Sequence, residues 1–95
     1  MKTCIRFVVD APGGNPRTFT LQADRPYPAV PRPGDAIVPD DHGNLAPRAV
    51  TRVVYEPDGS LTLDLDPGLL VDDPQAFVML LESVGFTEQE PRHLP

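Results

Sequence analysis

The residues able to do chemistry are few and scattered: one cysteine, two histidines and a surplus of aspartates. His42 stands in Asp40-Asp41-His42-Gly43-Asn44, where flanking carboxylates could share a metal ion with it or turn the imidazole into a general base. The run matches no metal-ligand spacing, and adjacent side chains rarely converge on one ion. A solvated turn using Gly43 and Asn44 for positive φ accounts for the same residues. Asp64 and Asp66 project from one face of a predicted strand, with Asp72 and Asp73 following in sequence. A calcium ion wants about six to eight oxygens from a loop that wraps it, and no such loop is written here. Paired carboxylates in acid–base work need a cleft that splits their pKa values. Cross-strand pairing and helix capping explain these acids without either. Cys4 as a nucleophile would need a base, and only His42 and His93 are on offer. Ser60 after a turn and Ser83 at a helix end are no better placed, so no triad is legible. A half-buried structural cysteine is the expected case.

Contact chemistry is more promising. Tyr27 is held between Pro26 and Pro28, a rigid aromatic of the kind enriched at binding hot spots. Met79 falls opposite a predicted apolar helix stripe and Val78 flanks that stripe, so the two together make a small candidate contact patch. Pro28-Ala29-Val30-Pro31-Arg32 has the PxxP form of a groove ligand, but its place between predicted strands makes it a covering strap.

Composition narrows the setting. With 95 residues there is room for one domain with a modest core. A composition of 40% hydrophobic and 23% charged residues is that of a folded chain, not a disordered one. Thirteen prolines and seven glycines predict short elements joined by many turns. The net charge of -6 makes nucleic acid and anionic membranes poor partners, and favours a basic partner or an uncharged one. A lone cysteine excludes an intrachain disulfide scaffold. Arg6 and Asp10 interrupt the apolar N-terminal stretch, against a signal peptide, and no run approaches the ~20 residues of a membrane helix. The cytoplasm is the expected location, and no cofactor is implied.

The elements that must position these residues follow from periodicity. Residues 2–10 alternate, with Ile5, Phe7 and Val9 on one face and Arg6 and Asp10 on the other. Residues 11–16 are a loop, and 17–23 alternate again with Phe19 and Leu21 inward, giving an antiparallel pair. Four prolines within 26–33 forbid a central strand. Gly34-Asp35 turns the chain into a short strand at 36–38, and 39–47 is a polar loop. Runs 48–56 and 60–66 form a hairpin about Pro57-Asp58-Gly59, a type I turn with a G1 bulge. Its register pairs Tyr55 with Leu61, Val53 with Leu63 and Thr51 with Leu65 on one face. The other face pairs Val54 with Thr62 and Arg52 with Asp64 as an ion pair. Asp72-Asp73-Pro74 starts a helix over about 74–84, with Phe77, Leu80, Leu81 and Val84 inward, Gly85 as C-cap and Phe86 closing on Leu81. Residues 1–86 make the domain and 87–95 a polar tail.

Val30-Pro31-Arg32-Pro33-Gly34-Asp35-Ala36-Ile37-Val38, with the 48–66 hairpin, resembles the core of small SH3-like barrels, without their groove aromatics and tryptophan. One lysine against seven arginines also gives the chain the look of short bacterial or phage proteins from high-GC genomes. The expected fold is therefore mainly β: a small bent antiparallel sheet or partly open SH3-like barrel of about five strands, with one C-terminal helix. Its core should hold Ile5, Phe7, Phe19, Leu21, Ile37, Val53, Leu61 and Leu63. The expected function is a non-catalytic protein-binding or accessory module, working on a protein partner or as a homodimer. An acidic inhibitor or nucleic-acid mimic seated in a basic groove is the second reading, and a small enzyme or metal-binding protein the third.

Overall fold

The computed structural model of the chain describes residues 2–9, 16–27, 29–68 and 73–89. Asp10, most of the 11–16 loop, Pro28, Asp72, and residues 90–95 with His93 lie outside the described residues. The elements are β1 (Lys2–Val9), β2 (Arg17–Asp24), β3 (Ala36–Ile37), β4 (Arg48–Tyr55), β5 (Leu61–Leu65), α1 (Pro74–Ser83) and β6 (Thr87–Gln89). They build one open sheet in the order β3-β4-β5-β1-β2-β6, with a helix near the C-terminus.

β1 is the central strand. It runs antiparallel to β2, setting Ile5 against Leu21 and Phe7 against Phe19. On its other side it runs parallel to β5, setting Ile5 beside Leu63 and Phe7 beside Leu65. The sheet is thus mixed instead of wholly antiparallel. The chain between the parallel β1 and β5 passes through β2, β3 and β4, while α1 is the crossover from β5 to β6, which runs parallel to both. The residues expected as a tail begin with β6, which pairs with Thr18–Thr20 of β2.

Alternation decides the faces. Thr3, Ile5, Phe7 and Val9 of β1 are buried, as are Phe19, Leu61, Leu63 and Leu65. Leu21, Ile37 and Val53 pack partly buried against this cluster. The helix rests on it through Phe77, whose ring stands edge-on to Phe7 at 5.6 Å between centroids. Phe86 adds a tilted contact to Phe7 at 5.5 Å.

The helix ends follow the sequence reading. Asp73 Oδ1 accepts from the Ala76 N–H, and Pro74 occupies the first turn. At the other end the Phe86 N–H donates to Leu81 O and the Gly85 N–H to Glu82 O, with Gly85 at φ +104°: a Schellman close. The roll of the helix differs from expectation. At about 100° per residue, Val78 and Leu80 lie on opposite flanks of the Phe77–Leu81 line. The helix tilts its Val78 flank onto the sheet, so Val78 is 2% exposed and Leu80 43%.

The hairpin keeps the expected register from Tyr55–Leu61 through Arg52–Asp64, then shifts at a bulge so that Val50, not Thr51, faces Leu65. Val50 is a core residue and Thr51 is exposed, so the bulge brings the larger apolar side chain inward. The turn itself is as read. The Gly59 N–H donates to Glu56 O, the Glu56 N–H to Ser60 O, and Gly59 sits at φ +87°. Nothing crowds a Cβ at Gly59, so the cost of adding one is purely conformational. Gly59→Val should therefore cost about 1 kcal/mol or more of unfolding free energy. Asp58→Ala, which removes an exposed turn cap, should cost less. Paired urea titrations check the order, and equal losses would contradict the left-handed assignment.

Candidate interaction surface

Arg25, at the head of the proline segment, is tied to the loop that follows β3. Arg25 Nη1 donates to Val38 O at 2.5 Å, Nη2 to Pro39 O at 2.7 Å, and Nε to Asp41 Oδ1 at 3.2 Å. Planar donors in a fork suit this three-point grip. Pro31 is buried and Val30 half-buried, so this end of the proline segment lies against the domain as a strap. Between strap and loop opens a surface cleft of about 630 Å³. Pro26, Tyr27, Ile37 and Val38 give it apolar walls, and Asp24, Asp40 and Asp41 outnumber Arg25 around it.

Tyr27 is half-buried in this wall and packs against the core. Its hydroxyl is buried and has no hydrogen-bond partner among the described residues. Asp40 is the best-satisfied carboxylate of the loop: Oδ2 accepts from the Asn44 N–H and Oδ1 from the Leu45 N–H, both at 2.9 Å. Burial pushes its pKa up, but the backbone donors of Leu45, Asn44 and His42 pull it further down, below the ordinary aspartate value. Leu45 is drawn into the core by this turn, a placement the polar character of 39–47 hides. His42 is exposed in the turn before Gly43, which alone there takes positive φ (+72°); Asn44 does not.

The other acids do not join this site. Asp64 takes both the Nε and Nη2 donors of Arg6 from the neighbouring parallel strand, the latter at 2.9 Å. The expected Arg52–Asp64 ion pair is absent: Arg52 is opposite Asp64 in register, but Arg6 occupies the carboxylate. Asp66 Oδ1 accepts from the Gly68 N–H in a local turn. Among the described residues, no three His, Cys, Asp or Glu side chains gather where they could hold a metal ion. Cys4 sits on the opposite face of the sheet beside Gln22 and Thr62, in a second cleft of about 500 Å³. Burial raises its thiol pKa, against the opposing pull of Arg6 and Gln22, so it is not a poised thiolate.

On the helix, Met79 is 62% exposed, but Val78 is buried and does not share a surface with it. Leu80 takes that place as an exposed apolar neighbour. No described helix is long and apolar enough to cross a membrane. Comparison with protein-family models, curated proteins and solved structures finds no match to the chain.

Two outcomes follow for the cleft. A carboxylate whose folded pKa is depressed contributes stability that is present above its unfolded pKa and is lost as pH falls through the folded value. Asp40→Asn should therefore be less stable than the wild type near neutrality, and the gap should close on acidification below about pH 3.9. Urea midpoints across that range check this, and parallel curves would refute it. Because the Tyr27 hydroxyl is buried without a partner among the described residues, Tyr27→Phe should leave the midpoint unchanged or raise it. A loss above about 1 kcal/mol would show that the hydroxyl is bonded.

Proposed function

We propose that the chain is a non-catalytic protein-binding or accessory module whose contact site is the cleft between the strap and the β3–β4 loop. The observation that carries this reading is the cleft's make-up: apolar Pro26, Tyr27, Ile37 and Val38, with the exposed carboxylates of Asp24 and Asp41 at the rim beside Arg25. Such a site takes a peptide segment that presents an apolar side chain next to a basic one. The strap is rigid in proline and clamped by Arg25, so little ordering is needed on binding. The acidic-mimic reading has no comparable single site behind it, because Asp58 in the hairpin turn, Asp64 on β5 and Asp73 at the helix start lie on separate parts of the fold.

Peptide display against the immobilised protein tests the proposal. Selected peptides should share an apolar–basic pair, and Val38→Arg should weaken them by about tenfold or more. Val38 lends only its carbonyl to the Arg25 clamp, so the substitution leaves the strap in place. Selection of no consensus, or equal binding to the variant, would overturn the assignment of the cleft.

A further inference from the structure

The sheet has an open edge within β4. β3 pairs only with Arg48 and Ala49, and the last backbone bonds on that side are Gly34 N–H to Val50 O and Val50 N–H to Asp35 O. There the chain turns away, with the Asp35 N–H closing on Arg32 O after Pro33. Beyond Val50 the bulge reverses which residues face outward. The Glu56 N–H points to Ser60 on the hairpin side, so Glu56, Val54 and Arg52 bond towards β5, and Val53 and Tyr55 direct their N–H and C=O groups away from it. No described strand pairs with this stretch, and Tyr55 is 71% exposed.

We propose that two copies of the chain pair antiparallel through this edge about Val54, setting Val53 opposite the partner's Tyr55 and Arg52 opposite the partner's Glu56. The register is selected by charge and by backbone direction together. Centring on Val54 matches outward residue to outward residue, so Val53 and Tyr55 exchange four main-chain hydrogen bonds with their counterparts. It also forms two Arg52–Glu56 cross-strand pairs. Arg52 is exposed and makes no salt bridge among the described residues. Glu56 uses Oε1 for the Thr62 hydroxyl at 2.8 Å, leaving its second oxygen for a cation. A centre on Val53 would instead oppose Tyr55 to the bulged Thr51 and lose both charge pairs. Pro57 has no N–H, so the pairing stops after Glu56 and closes as a two-fold dimer instead of extending. The contact is short, below the about 1,200 Å² of a standard interface, so the dimer is weak and salt-sensitive.

Sedimentation equilibrium on the intact chain over micromolar to millimolar concentration tests this, with salt as a second axis. The wild type should dimerise reversibly and less well at higher salt. Arg52→Glu or Glu56→Arg alone should raise Kd by about tenfold, since two attractive pairs become repulsive. The double exchange should restore it. A second measurement on the wild type alone guards against variants that fold poorly: the Val53 and Tyr55 amides should gain hydrogen-exchange protection as concentration rises. A monomer throughout, a dimer indifferent to either single change, single losses without rescue, or unprotected amides at high concentration would each overturn the pairing. Val38→Arg in the cleft should leave dimerisation untouched, so this result and that of the peptide selection fail independently.

Discussion

Phe7 is fully buried at the centre of the middle strand, and its ring meets Phe77 from the helix and Phe86 from the segment that follows it. Three aromatic rings at about 5–6 Å bury a large share of what a chain this small can bury. The rest of the architecture answers to that cluster. β1 carries Phe7, so it must have neighbours on both sides: β2 by a direct connection and β5 by parallel pairing. The crossover that follows β5 then has to bring Phe77 and Phe86 over β1, which is what α1 and its Gly85 close accomplish. β6 lands beside β2 as the residue of that geometry, with Arg17 bound to Glu88 along the seam.

How legible this was depends on the range of each interaction. The hairpin, the helix caps and the strand faces are written within a few residues of themselves, and alternation, Pro57-Asp58-Gly59 and Asp73-Pro74 sufficed to read them. The parallel β1–β5 pair was not readable, since Ile5 and Phe7 alternate identically whatever strand lies beside them. The same gap misassigned Asp64. Its nearest cation in the hairpin is Arg52, but Arg6 arrives from 58 residues away and wins. β6 escaped because Thr87, Glu88 and Gln89 are all exposed and carry no apolar period. The helix stripe gave the right face to within one flank, and a roll towards Val78 exchanged a core position with Leu80. For the candidate site, Tyr27 was visible as a constrained aromatic, but the cleft it walls depends on Arg25 reaching Val38 and Pro39, a contact no spacing encodes.

The acidic balance has a structural origin. Asp40, Asp58, Asp66 and Asp73 each accept a nearby backbone N–H in a turn or at a helix start. A chain with so many prolines and short elements has many ends to satisfy, and aspartate is the residue that does it with one short side chain. Asp41, Asp64 and Glu88 are bound to arginines on other segments. Much of the negative charge is therefore placed by the needs of turns, helix starts and cross-segment pairs.

The same prolines that shorten the elements create the open edge. A longer β3 would have covered Val53 and Tyr55, but Pro31 and Pro33 cannot donate to a ladder, and the Arg32–Asp35 turn draws the strap off at Val50. The strap also supplies one wall of the Tyr27 cleft. Exposed edges invite unlimited association unless they are bounded. Here the bulge at Thr51 bounds the edge on one side and Pro57 on the other, leaving only Val53 and Tyr55 with outward backbone groups. At the far edge of the sheet, β6 is three residues long, and the Arg17–Glu88 pair covers its seam with charge. An edge cut to two outward residues cannot seed a fibre, yet it is long enough for one self-complementary contact.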